Sequence, residues 1–322
     1  MILFYKSNIH GKIQQIDDWE AGCWVRCIKP NDEELEQLIN DYHIEPDFIR
    51  SAIDEEESSH IDVEDECTLI ILDIPMRVEN DDYTLEFTTV PLSIILTQKN
   101  VITICMHENT VMDNFANGTV KSVYTHYRMQ FILKIMYSIA TRYIVNLRQI
   151  DRYSAQVEKV LEKSLKNSEL MKLLDIKKSL VYLSSSLKAN ERTIERVRLG
   201  RGFRLYEEDH DLLEDLLIEI KQGIDMSSNS LSIISSTTEA YTGIVSNNLN
   251  IVMKVLTSIT LIISIPTLIS GIYGMNVDGL PVPHFWIVLL ISAVVMAVAF
   301  IVLRKKNMIW RLPQEGFFLW KK

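Results

Sequence analysis

Two apolar runs near the C-terminus, residues 251–273 and 285–303, constrain this chain more than any other feature. Lys254 interrupts the first near its start, and the second carries no charge at all. Wound as helices at 1.5 Å per residue, each crosses a hydrocarbon core of about 30 Å. Residues 274–284 between them are too few, and too rich in Gly and Pro, for anything but a short turn. The two helices are therefore antiparallel neighbours in a membrane hairpin. The preceding 250 residues are numerous enough to fold as a separate body.

Charge divides the chain in the same place. Residues 251–322 hold seven Lys or Arg against Asp278 and Glu315, a net of +5, so the first 250 residues carry −15 of the total −10. A body that acidic is not a nucleic-acid binder. Lys254 at the start of the first span and Arg304-Lys305-Lys306 after the second mark the cytoplasmic side, while the turn has neither Lys nor Arg. The expected topology has both termini inside, in a multi-pass protein of the plasma (inner) membrane. The opening MILFYKSNIH is too short an apolar run for a signal peptide, in keeping with an N-terminal domain that is not translocated. Cys23, Cys27, Cys67 and Cys105 lack a second closely spaced pair, so reduced thiols are the first reading and a zinc site the alternative.

Residues 1–120 read as an α/β domain with its sheet covered by helices. Thr68–Pro75, Thr88–Leu96 and Val101–Cys105 are rich in Ile, Val and Thr, as strands are, and Asn31-Asp32-Glu33-Glu34 has the form of a helix cap with an acidic first turn. Residues 121–250 change character: no proline occurs between Pro91 and Pro266, and apolar residues recur at three- and four-residue intervals. Three helices fit, over about 121–165, 168–198 and 206 onward. In the last, Leu212, Leu213, Leu216, Leu217, Ile220 and Ile224 form a stripe, and nothing before Ile272 forces a break. A cytoplasmic stalk thus runs as one helix into the first span, 251–273. An external loop (274–284), a second span (285–303) and a basic cytoplasmic tail (304–322) complete the plan. No phosphate-binding loop, nucleophile elbow or helical His-Glu-x-x-His occurs, which argues against an enzyme and against an organic cofactor.

The first span is not uniformly apolar. Alternating steps of three and four pick out Asn250, Met253, Thr257, Thr260, Ser264, Thr267, Gly271 and Gly274, a polar or small face along its whole length. The opposite face is read as carrying Val255, Ile259, Ile262, Ile263, Ile269 and Ile272. Close packing against another helix is one explanation, since small and hydroxyl residues serve interhelical contacts. A water-lined pore built from several copies is the other. Asn at both ends of the stripe favours the pore, and Pro266 fits a helix whose freed carbonyl faces a lumen.

The span closes on Tyr273-Gly274-Met275-Asn276, and this Gly-Met-Asn signature at the end of the first helix of a C-terminal hairpin resembles the CorA family of magnesium channels. Val252-Met253-Lys254-Val255-Leu256-Thr257 and Gly271-Ile272 look typical of it, and the similarity covers the whole plan of the chain. The resemblance implies an α+β membrane protein that assembles as a homopentamer in the lipid bilayer around a central pore. Asn276 is then the selectivity residue, with Gly274 and Met275 shaping the mouth and Asn250, Met253 and Thr267 lining the pore. It implies Mg²⁺ both as cargo and as a regulatory ion bound between cytoplasmic domains, with Co²⁺ or Ni²⁺ as further cargo. Asp215 is the candidate sensor carboxylate, with Glu214, Asp211 and Glu219 beside it. The runs Asp54–Glu57 and Asp62, Glu64, Asp65, Glu66 are candidate partners, and a solvated acidic face is the plain alternative for all of these. The turn departs from the family pattern: Val277–His284 has one Asp and no Glu, so cation capture at the mouth is expected to be weaker. A Zn²⁺ transporter of the same architecture, or a tethered sensor without ion flux, are the competing functions.

Overall fold

The computed structural model describes residues 1–64, 67–78, 85–163, 167–200, 205–275, 284–306 and 308. The elements in chain order are β1 (Ile2–Ser7), β2 (Ile13–Ile16), β3 (Trp24–Ile28), α1 (Asp32–Tyr42), α2 (Pro46–Ile53), β4 (His60–Val63), β5 (Thr68–Val78), β6 (Glu86–Leu96), β7 (Val101–Cys105), α3 (Thr110–Ala116), α4 (Arg128–Lys163), α5 (Asn167–Arg198), α6 (Glu207–Tyr273) and α7 (Phe285–Lys305). Two units emerge, Met1–Thr238 and Glu239–Lys322, and α6 belongs to both.

The first unit is built on a seven-stranded sheet in the order β2-β1-β3-β7-β6-β5-β4. Only β3 and β7 pair in parallel; every other neighbour pair is antiparallel. Both faces are covered. On one, Leu38 of α1 and Phe48, Ile49 and Ala52 of α2 pack with Val25, Leu69, Ile71, Ile102 and Ile104. On the other, Trp24 meets Phe131 of α4 edge-on, and Phe131 meets Phe115 of α3. The cap expected at Asn31 forms in full: its side chain accepts from the Glu34 N–H, and the Glu34 carboxylate accepts from the Asn31 N–H. All four cysteines are free and buried, and burial pushes the Cys27 thiol up to about 12.

The strands expected at Thr68–Pro75 and Thr88–Leu96 are longer at their hairpin ends, and β1 to β4 add to them. The helix expected from about residue 121 begins instead at Arg128. Tertiary hydrogen bonds claim the preceding residues. The Val123 N–H donates to Gly11 O, the Thr125 N–H donates to Ser7 Oγ, and Ser122 has φ 56°. Gly11, at φ 69°, lies so close to this loop that an added Cβ would sit 2.8 Å from Ser122 Cα.

A polar seam fastens α5 to the β5–β6 hairpin. Beyond the end of β4, the Asp73 backbone has no neighbouring strand on its outer side. The Asn190 side chain takes that place: its Oδ1 accepts from Asp73 N–H at 2.9 Å and its Nδ2 donates to Asp73 O at 2.8 Å. Tyr143 of α4 donates to the same carbonyl, Ser179 Oγ accepts from Phe87 N–H, and Ser186 Oγ lies 2.9 Å from Thr89 Oγ1. Burial raises the Asp73 carboxyl above its ordinary value, against hydroxyl contacts from Ser186 and Ser59 that favour the charged form. The seam's polar groups thus find partners inside the chain, as buried polar groups must.

Candidate ion pathway

Helix α6 starts where Asp209 Oδ2 accepts from the Tyr206 N–H, with Glu207, Glu208 and Asp209 in a first turn that suits the helix dipole. Its first turns bury Leu213, Leu216, Leu217 and Ile220 within the first unit. Further along, Ser230 Oγ donates to Asp151 at 2.6 Å and Thr237 Oγ1 to Glu158 at 3.3 Å, a seven-residue ladder against α4. It runs as helix through 67 residues to Tyr273, passing Pro266 without a break.

Within residues 251–273 of α6, Ser258 is fully covered and Ile251, Val255, Ile262, Ile265, Pro266, Ile269 and Tyr273 are partly covered. On α7 the partly covered residues are Val288, Ser292, Met296, Ala299 and Leu303. Each set is a single stripe, as two helices packed side by side require. The polar stripe is a different face. Asn250, Met253, Thr257, Thr260, Ser264, Thr267, Gly271 and Gly274 are all exposed. At 100° per residue, its centre lies about 170° around the helix from the centre of the covered face. Packing against α7 therefore does not account for it. Of the apolar set, Val255, Ile262 and Ile269 lie on the covered face, whereas Ile259, Ile263 and Ile272 are exposed.

The hydroxyls are oriented consistently. Thr260 Oγ1 donates to Leu256 O at 2.9 Å, Ser264 Oγ to Leu261 O at 2.9 Å and Thr267 Oγ1 to Ile263 O at 3.1 Å. Each proton is thus committed to the helix, and the oxygen lone pairs are what remain to face outward. Oxygen acceptors are what the water shell of a hard cation seeks. At the end of the span the Gly274 N–H donates to Ser270 O at 2.9 Å. A Cβ on Gly274 would approach that same oxygen to 3.1 Å, so the turn favours glycine; Gly271 has nothing within 4 Å of such a carbon. Met275 is exposed, and Asn276 lies outside the described residues.

The carboxylates proposed as sensors are arranged less tellingly. Asp211, Glu214 and Asp215 are exposed on α6, Glu219 is half-buried, Asp62 is exposed on β4, and Asp65 lies outside the described residues. Among the described residues no three His, Cys, Asp or Glu side chains come together to hold a metal ion. Part of the acidic run is used locally: Glu55 meets His107 at 3.2 Å and Glu57 meets His60 at 3.6 Å. Ser258 is a hydroxyl of the span that the spacing argument left out: it is fully buried and lies off the polar stripe, so it does not belong to the pathway face.

Comparison with known proteins agrees with this geometry. The family model described as "CorA-like Mg2+ transporter protein" matches residues 19–305. The chain is 27% identical over 322 residues to the cobalt/magnesium transport protein CorA of Methanocaldococcus jannaschii, covering 94% of this chain and 96% of that one. The complete structure of the CorA magnesium transporter from M. jannaschii superposes with a TM-score of 0.79 at 24% identity, over 95% of this chain and 98% of that one. The structure of the full-length CmaX protein does so with a TM-score of 0.69 at 17% identity, over 96% and 97%.

Proposed function

This chain belongs to the CorA family of Mg²⁺ transporters, and from that premise we propose that it forms a homopentameric Mg²⁺ channel whose pore is lined by the polar stripe of α6. The observation that carries the reading is the position of that stripe, opposite the face covered by α7. No described residue of a single chain covers these oxygens; several copies around an axis would turn them toward a shared aqueous lumen. Lipid on that face would favour apolar residues instead.

Selectivity follows from ligand type. Mg²⁺ prefers octahedral oxygen coordination at about 2.0–2.1 Å and gives up water reluctantly. A ring of Asn276 amide oxygens would hold the ion through its first-shell waters, and the hydroxyl oxygens of Thr267, Ser264, Thr260 and Thr257 would then pass the hydrated ion inward. Neither the described part of the span nor Asn276 offers a carboxylate or thiolate to strip a transition metal bare. Co²⁺ and Ni²⁺ form similar hydrated octahedra and would follow the same path. Regulation would use Mg²⁺ bound between cytoplasmic domains of adjacent subunits, with Asp215 on one side. The lack of a three-ligand cluster among the described residues of one chain fits a site that needs two. The continuous α6 would carry that event toward the pore.

The test is Mg²⁺ uptake into liposomes holding the full-length protein, followed with an internal fluorescent indicator. Wild type takes up Mg²⁺, and Asn276→Ala assembles normally but loses selective uptake. Uptake by Asn276→Ala equal to wild type would remove the selectivity assignment, and Zn²⁺ flux without Mg²⁺ flux would point to a zinc carrier. For the sensor, millimolar Mg²⁺ protects wild type from protease and protects Asp215→Lys less; equal protection would mean another residue senses the ion.

A further inference from the structure

The hairpin brings a second set of charges together, far from the Gly-Met-Asn turn. Lys254 lies nineteen residues before the end of α6 at Tyr273, and Arg304 lies nineteen residues after the start of α7 at Phe285. At 1.5 Å per residue both sit about 28 Å along their helices from the connecting turn. That matches the roughly 30 Å thickness of a hydrocarbon core, so both stand at its boundary. Lys305 and Lys306 follow directly.

One contact joins the two sides of the hairpin at this end. Ser258 Oγ, which donates to Lys254 O of its own helix at 2.8 Å, also lies 3.4 Å from Met308 O. At the end of α7 the Lys306 N–H donates to Val302 O and the Met308 N–H to Leu303 O, both at 3.0 Å. Met308, two residues past the basic run, therefore lies beside the turn of α6 that follows Lys254, and Ser258 at this junction is the sole fully covered residue of the described span. All four basic side chains are exposed, and none has a carboxylate partner among the described residues. Between Ala240 and Lys306 the sequence holds one acid, Asp278, in the turn at the opposite end.

We propose that Lys254, Arg304, Lys305 and Lys306 form a binding site for the phosphate of an anionic phospholipid headgroup. The proposal rests on the reading that α6 and α7 cross a bilayer. Four cations near one depth, without a carboxylate partner among the described residues and beside exposed apolar helix surface, suit a ligand with a phosphate at that level and acyl chains alongside. Arg supplies a fork for phosphate oxygens, and the Lys ammonium groups add charge. A soluble phosphate would use only half of this surface.

The experiment uses full-length protein purified in mild detergent, equilibrated with equal phosphatidylglycerol and phosphatidylcholine, and analysed for co-purifying lipid by mass spectrometry. Wild type enriches phosphatidylglycerol on the order of tenfold, and the enrichment falls as salt is raised. Lys254→Gln/Arg304→Gln/Lys305→Gln/Lys306→Gln retains the two lipids alike. Lys254→Gln/Arg304→Gln, which keeps two cations to orient the hairpin, shows intermediate enrichment. Equal retention by wild type, or full enrichment by both variants, would overturn the lipid site. So would displacement of the lipid by glycerol phosphate at comparable concentration, because the ligand would then be a soluble phosphate. Failure to retain either lipid would instead contradict the membrane-spanning reading beneath it.

Discussion

Two helices of this protein carry polar stripes that look alike in sequence and do opposite things. On α5, Ser179, Ser186 and Asn190 face inward and satisfy the backbone and side chains of the β5–β6 hairpin. On α6, Thr257, Thr260, Ser264 and Thr267 face outward, and the hydroxyl bonds resolved for Thr260, Ser264 and Thr267 all run to their own helix. The first stripe is complete within one chain. The second is left exposed by the described residues of one chain, and the proposed lumen shared between copies would supply what it lacks.

The sharpest way to break this contrast is at Asn190. Asn190→Leu leaves the Asp73 N–H and C=O without their amide partner, and the expected loss of stability is about 3 kcal/mol. Thermal unfolding of the full-length protein measures it, and a loss near zero would mean the seam is ornamental. Asp73→Asn tests the same seam by pH. The raised carboxyl means that the native state holds its proton more tightly than the unfolded chain does. Stability therefore falls as pH rises from the ordinary value of 3.8 through the raised one. The variant should lack this slope and gain on wild type above that window; parallel pH profiles would show that Asp73 is not desolvated.

Smaller effects probe the outward face. Gly243 is exposed and has nothing within 4 Å of an added Cβ, so Gly243→Ala should stabilise α6 by up to about 1 kcal/mol. Destabilisation instead would reveal a close neighbour from another copy. Thr260→Val should change thermal stability by less than about 0.5 kcal/mol, because among the described residues its hydroxyl bonds only to Leu256 O, yet it should slow Mg²⁺ uptake. Unchanged uptake would detach that hydroxyl from the ion path.

Much of this was legible from residues alone, and the exceptions have physical reasons. The Asn31 cap, the β-branched runs of β5 to β7 and the two apolar spans are local signals, and each appears where it was expected. The strands β1, β2 and β4 are four to six residues long and only partly buried, so alternation is too short to detect. The start of α4 was misplaced because residues 122–125 answer to Ser7 and Gly11, more than 100 positions away. The α5 seam was invisible because Ser and Asn within a charged helix resemble a solvated face. The α6 stripe could be read by spacing, but its orientation relative to α7 could not; that needed the packing of the hairpin. The lipid-facing cluster was divided in the sequence between residue 254 and residues 304–306, and only the matched helix lengths bring its parts to one depth.

The central claim is that the face of α6 opposite α7 is wet. Cysteines placed singly at Thr257, Thr260, Ser264 and Thr267, and at Ile259, Ile263 and Ile272, can be challenged in liposomes with a charged, membrane-impermeant thiol reagent. The four native cysteines are buried in the first unit, so labelling reports the introduced ones. The account predicts modification along the polar stripe, slowed by Mg²⁺, and none at the three isoleucine positions. Labelling that ignores the stripe, or that favours the isoleucines, would contradict it.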